Sequence, residues 1–272
     1  MRIYATSDLH VDYAVNLEQV ASIPVGPHRG DALLLAGDVS HRLDRTEEAL
    51  RLLTARFGRV FFVPGNHDLW VDDGEPIAVG ELAESSLDRL ASLERLCDEL
   101  GIATTPEAFG DWWVLPLYGW YEPRFGAAAN AAGVEDVPEE RLSRRWSDHR
   151  RCRWPAGMGD DEGRSQHFED RNRPHLTPPS GRRVLSFSHF VPRPELLPPS
   201  ERLRFKELPR VAGTLRLDRQ LRAAGAEVHV FGHTHIPWEA TMDGVRYVQQ
   251  PLAYPYERAR RGQGGIELLQ LA

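Results

Sequence analysis

Lysine is almost missing from this chain. Lys206 is the only one, so every other cation among its 33 Lys and Arg residues is arginine. With many alanines, glycines and prolines alongside, that imbalance reads as a GC-rich coding bias, and arginine counts alone make weak evidence for a binding surface. Cysteine is nearly as scarce. Cys97 and Cys152 can build neither a disulfide framework nor a cysteine-ligated zinc site, and a reducing, cytoplasmic setting is the expectation. No apolar run approaches the ~20 residues that span a bilayer. Met1–Ala5 leads straight into a polar segment, with no signal-peptide stretch, so no membrane partner is expected. Excess positive charge is absent too: the net charge of −7 and pI near 5.9 argue against a general nucleic-acid coat protein, although a local basic groove stays open.

What is present is an ordinary globular composition, 41% hydrophobic and 27% charged over 272 residues. Five short apolar runs each end in a polar cluster. Ile3–Thr6 leads to Ser7-Asp8-Leu9-His10, Ala32–Ala36 to Gly37-Asp38, and Val60–Val63 to Pro64-Gly65-Asn66-His67-Asp68. Val184–Phe187 leads to Ser188-His189, and Val228–Phe231 to Gly232-His233-Thr234-His235. Each run has the length of a buried strand. Their common layout implies strands whose C-terminal ends face one site, where open α/β sheets place ligands.

Helical patterns alternate with these runs, at Thr46–Phe57, at Leu82–Leu100 before Gly101, and at Leu215–Ala224 before Gly225. The leucine stripe of the second reads as core. Trp112–Leu117, Val245–Gln249 and Ile266–Leu271 read as a second sheet. The expected fold is a four-layer α/β/β/α sandwich forming a single domain over residues 1–272. Residues 122–182 form a polar insertion that is rich in Arg, Asp, Glu, Pro and Gly. Within it Arg141–Arg153 has the composition of a polar helix, and the rest reads as a surface excursion.

The polar clusters carry metal-ligand chemistry. In an extended Asp8-x-His10 the carboxylate and imidazole point to one side, and His233-x-His235 repeats that spacing. Asp38 and Asn66 each follow a glycine at a strand end, and His189 adds another imidazole. If Asp38 bridges, two ions receive four protein ligands each, leaving room for water and substrate oxygens. Mixed nitrogen and oxygen ligation without sulfur suits two divalent transition metal ions, Mn²⁺ first, with Fe or Zn²⁺ as alternatives.

Taken in order, Asp8-x-His10, Gly37-Asp38, Gly65-Asn66-His67-Asp68, His189 and Gly232-His233-x-His235 resemble the five motifs of calcineurin-like metallophosphoesterases. The resemblance spans about residues 1–250 and implies the two-sheet sandwich. It implies one metal at Asp8, His10, Asp38 and His235 and a second at Asp38, Asn66, His189 and His233. It also implies that His67 is a non-ligand active-site histidine. The expected chemistry is phosphate ester hydrolysis by a hydroxide held between two cations ~3.5–4 Å apart. His67 would protonate the leaving alcohol or steady the transition-state charge, with Asp68 orienting its ring.

Val11, Asp68 and Val39-Ser40-His41-Arg42 depart from the pattern of protein serine/threonine phosphatases. The chain looks more like small bacterial phosphodiesterases, including those acting on cyclic nucleotides. The expected partner is therefore a small-molecule or nucleotide phosphate ester, cleaved as a monoester or a diester. A nuclease of the same superfamily, acting on nucleic acid, is an alternative that the net charge disfavours. A metal-stabilised scaffold is another, disfavoured because all seven ligands and His67 are in place. Candidate substrate contacts are the Arg141–Arg153 segment with Trp146, His149 and Trp154. Tyr118-Gly119-Trp120-Tyr121, Tyr254, Tyr256 and His41 are further candidates; for the first of these, core packing fits equally well.

Overall fold

The computed structural model describes residues 1–71, 76–78, 81–82, 84–130 and 139–272. In chain order the first half runs β1 (Ile3–Thr6), α1 (Ala14–Ser22), β2 (Ala32–Ala36), α2 (Leu43–Thr54), β3 (Arg59–Val63), a short hairpin of β4 (Pro76–Ala78) and β5 (Glu81–Leu82), then α3 (Ser86–Glu99). Next come β6 (Glu107–Phe109), β7 (Trp112–Pro116), α4 (Pro123–Asn130), α5 (Glu139–Arg145), α6 (Asp148–Arg151) and α7 (Asp161–Asn172). The chain continues through β8 (Arg183–Phe187), α8 (Leu215–Ala223), β9 (Ala226–Phe231), β10 (Trp238–Met242), β11 (Val245–Gln249), α9 (Pro255–Arg261) and β12 (Leu269–Gln270).

Two sheets form the centre. One has the order β12-β1-β2-β3 and the other β10-β11-β9-β8-β7-β6. Strands β1–β3 are parallel, as are β7, β8, β9 and β11, while β12, β10 and β6 are antiparallel edges. Side-chain alternation along the buried strands builds the layers. Ala32, Leu34 and Ala36 of β2 face Val114, Leu185, Phe187 and Val230 of the opposite sheet. Leu33 and Leu35 turn the other way, onto Val20 of α1, Leu50 and Leu53 of α2, and Leu96 of α3. On the far side Phe168 of α7 and Leu217 and Leu221 of α8 cover Leu115 and Tyr247. This is the four-layer α/β/β/α sandwich. Each fully buried Leu, Val or Phe contributes about 1.5–3 kcal/mol of transfer free energy.

Three details differ from the sequence reading. Ile266–Leu271 does not extend the second sheet. Its strand β12 pairs with β1, Tyr4 opposite Gln270, and Leu271 N–H donates to Ile3 O at 2.8 Å. An apolar run specifies a strand but not which sheet edge accepts it. The helical pattern from Leu82 starts later, because Ser85 and Asp88 close a capping box and Ser86 opens α3. Arg141–Arg153 is two short helices rather than one, and the insertion is not all surface, since Phe125, Leu142 and Phe168 are buried. Its residues 131–138 lie outside the described residues. Among the described residues, no helix is long and apolar enough to cross a membrane.

Candidate active site

The loops leaving β1, β2, β3, β8 and β9 meet at one end of the sandwich. Main-chain bonds join them: Asp8 N–H donates to Gly37 O at 2.9 Å, His10 N–H to Asp38 O at 3.0 Å, and Gly232 N–H to His189 O at 2.8 Å. Five of the candidate ligands have left-handed backbone: Asp8 at φ 53°, His10 at 44°, Asp38 at 56°, His233 at 75° and His235 at 57°. Few non-glycine residues adopt this region, and Asp and His are among the more tolerant. Concentrated strain of this kind marks a functional cluster. Gly65 is needed for a different reason. A Cβ there would lie 2.1 Å from Asp38 Oδ1 and 2.7 Å from the His189 ring.

The seven side chains fall into two donor groups. Asp8, His10, Asp38 and His235 each offer an atom within 4.8 Å of the others, and so do Asp38, His189 and His233. Asn66 joins the second group, its Oδ1 lying 3.1 Å from His189 Nε2 and 2.9 Å from His233 Nδ1. Facing nitrogens approach to 2.9 Å between His10 and His235 and 3.1 Å between His189 and His233. Two nitrogens each about 2.1 Å from one ion, at right angles, would be separated by roughly 3 Å.

The outward atoms fix which face of each ligand points in. His189 Nδ1 sits 2.9 Å from Ala36 O, His233 Nε2 2.9 Å from Val211 O, and His235 Nδ1 2.7 Å from Glu257 Oε2. An N–H aimed at each acceptor leaves the inner nitrogen's lone pair directed at the centre. Asn66 Nδ2 donates to Asp148 Oδ1 at 2.9 Å, which turns the amide oxygen inward. Burial, followed by the neighbouring imidazoles, holds His10 and His233 well below the usual histidine range and so neutral. Burial alone would raise Asp38, but His189 beside it outweighs that and holds its carboxyl well below the usual range. Against burial, Asp38 raises His189 to about 9 and Glu257 raises His235, so cation binding displaces the His189 proton; nitrogen and oxygen donors without sulfur fit divalent cations.

His67 stands beside these groups. Its ring stacks on Trp70 with centroids 3.7 Å apart, and its Nε2 lies 4.0 Å from Asp38 Oδ2 and 3.5 Å from the Tyr254 hydroxyl. Burial pushes its pKa down to about 4, so the ring is neutral at pH 7. Asp68 does not meet the His67 ring with its carboxylate. It accepts main-chain N–H bonds from Asp38, Val39, Ser40 and Gly65 at 2.7–3.1 Å, and so ties the loop after β2 to the loop after β3.

A cavity of about 760 Å³ opens over the cluster, with Asp38, Asn66 and His67 on its floor and Trp146, Phe205, Leu208, Ile236 and Trp238 along its wall. Arg141 and Arg145 of the arginine-rich segment pair with Glu207 at 3.1 and 2.9 Å. Tyr118, Trp120 and Tyr121 are core. His41 lies outside the ligand groups, with its Nδ1 3.0 Å from Asp12 Oδ1. Sequence reasoning missed Glu257, Asp148 and Trp70. Only Glu257 carries a local signal, its capping-box position three residues after Tyr254.

The family model described as calcineurin-like phosphoesterase matches residues 1–237. The chain is 30% identical over 270 residues to the [acyl-carrier-protein] phosphodiesterase PptH of Mycobacterium tuberculosis, covering 95% of this chain and 80% of that one. The crystal structure of the phosphopantetheinyl hydrolase PptH from Mycobacterium tuberculosis superposes with a TM-score of 0.81 at 25% identity, covering 99% of this chain and 95% of that one. Ordered ligand motifs, a two-sheet sandwich and a match across most of its length agree: the chain belongs to the calcineurin-like phosphoesterases, enzymes that hydrolyse phosphate esters with divalent metals.

Proposed function

We propose that this enzyme is a phosphodiesterase working with two cations, one held by Asp8, His10, Asp38 and His235 and the other by Asp38, Asn66, His189 and His233. The observation that carries the reading is Asp38, whose buried carboxylate belongs to both donor groups. Such a cation pair supplies Lewis acidity toward phosphoryl oxygens and lowers the pKa of water. The donor chemistry favours Mn²⁺, with Fe or Zn²⁺ as alternatives. His67, neutral and held by Trp70, presents Nε2 at the cavity floor to hydrogen-bond the developing charge on the phosphoryl or leaving oxygen. Of the two roles expected for it, this one suits a ring without a second proton.

Two observations favour a diester over a monoester. The apolar wall gives room for an alcohol arm beyond the phosphorus, and the M. tuberculosis relative is a phosphodiesterase. By that likeness the substrate is a phosphopantetheine-type diester carried on an acyl carrier protein. Free thiols at Cys97 and Cys152 accord with a cytoplasmic site of action.

The test is protein reconstituted with Mn²⁺ and assayed on p-nitrophenyl phosphate, bis-p-nitrophenyl phosphate and phosphopantetheinylated carrier protein. Turnover of both diesters in preference to the monoester is expected, with two metals per chain by elemental analysis and loss of metal in Asp38→Ala. His67→Ala should lower kcat by about 10²–10³ with both metals retained, and His67→Gln should recover part of it. Preference for the monoester, or loss of metal with His67, overturns the proposal.

A further inference from the structure

Most arginines on this surface are matched by carboxylates. Arg2, Arg183, Arg193 and Arg216, for example, each hold an Asp or Glu at 3.0 Å or less. Four at the mouth of the cavity have no ion pair among the described residues, and one of them, Arg261, donates to His235 O at 2.9 Å. Arg202, Arg204 and Arg260 are exposed, line the opening and form no ion pair among the described residues. On a chain of net charge −7 they are a local reversal of sign. They come from two separate segments, residues 202–204 and α9.

Aromatic side chains accompany them. Tyr256 is 52% exposed, and the Arg260 guanidinium lies 5.7 Å from its ring centroid. Tyr256 stacks on Tyr254 at 5.6 Å, and Tyr254 meets Tyr13, itself 44% exposed, at 5.6 Å. The strip therefore runs from open surface down to the tyrosine beside His67. Exposed tyrosine with unmatched arginine is the composition found at the centres of protein interfaces. The charge of the scissile phosphate falls to the cation pair on the floor, so exposed cations at the rim answer negative charge elsewhere on the substrate. Three cations are too short a track to hold a nucleic-acid strand against the net charge.

We propose that Arg202, Arg204 and Arg260, with Tyr256 and Tyr13, form a docking surface for the acidic face of the protein that presents the phosphodiester to the cavity. The proposal rests on the reading above that the diester is protein-borne.

The experiment uses the full Mn²⁺-loaded enzyme and three substrates: phosphopantetheinylated acyl carrier protein, the same diester on a serine amide, and bis-p-nitrophenyl phosphate. The variant carries Arg202→Glu, Arg204→Glu and Arg260→Glu together. On the carrier protein its kcat/KM should fall by about 10- to 10³-fold, the range of electrostatic steering. On the two small diesters it should stay within about twofold. In the wild type, raising ionic strength from about 0.05 to 0.5 M should suppress only the carrier-protein reaction, which checks the surface without any substitution. If the variant loses the serine amide reaction equally, the arginines grip the small arm and the docking surface is wrong. If it keeps full activity on the carrier protein, the surface is also wrong while the phosphodiesterase reading stands. If the wild type cleaves both small diesters but not the carrier protein, the protein-borne reading falls and takes the docking surface with it.

Discussion

Asp68 and Tyr254 show how single side chains govern the centre without belonging to either donor group. Asp68 ties the loop after β2 to the loop after β3 through four main-chain N–H bonds. Asp68→Asn sets an NH₂ donor against those donors, so stability should fall by about 1–3 kcal/mol, the cost of an unmet buried group. The urea midpoint reads that loss, and metal analysis shows whether Asp38 moves with it. Tyr254 lies with its ring 4.4 Å from that of His10 and its hydroxyl at His67 Nε2. Tyr254→Phe keeps the packing and removes the hydroxyl. Turnover should drop about five- to tenfold, the worth of one hydrogen bond, with the melting temperature unchanged. The seven candidate ligands were legible because they stand in short local motifs just after five strands. Glu257 and Asp148 were not: their partners lie 22 and 82 residues away, and only packing brings them together.

At the scale of elements, the central strands were readable from apolar runs, which report burial on both faces, and α8 from its period, which reports burial on one. What failed was choice among equivalents. β12 could have joined either sheet, and the insertion hid α7 because that helix buries only Ser165, Phe168 and Asn172. Strand β9 carries its own pH sensor. His229 is fully buried between the Ser186 and Ser188 hydroxyls, at 2.8 and 3.0 Å, and burial lowers its pKa from 6.5 to about 3. Between those values the unfolded chain binds a proton that the folded chain refuses. His229 thus contributes stability that is complete above pH 6.5 and lost as pH falls toward 3, by at most about 1.4 kcal/mol per pH unit. His229→Gln keeps a hydrogen-bonding group and does not titrate. The difference in urea midpoint between pH 7.5 and pH 5 should shrink in the variant relative to wild type; an unchanged difference assigns the acid sensitivity to other groups.

At the scale of the molecule, both donor groups draw on both sheets. Asp8, His10, Asp38 and Asn66 follow strands of the first, and His189, His233 and His235 follow strands of the second. Cations bind the folded arrangement and not the dispersed chain, so metal at 100 to 1,000 times its Kd should add about 2.7–4.1 kcal/mol of stability. A chelator should lower the melting temperature accordingly, and Mn²⁺ should restore it; a curve indifferent to chelation would contradict the cation pair. The straddling has a mechanical consequence as well. A filled centre would rivet the two halves of the sandwich at one end, while away from it side-chain packing and the Arg59–Glu107 ion pair join the sheets. Metal-starved protein should therefore gape from the catalytic end, and amide hydrogens near Gly37 and Gly232 should exchange with solvent well before those at the far ends of β2 and β9.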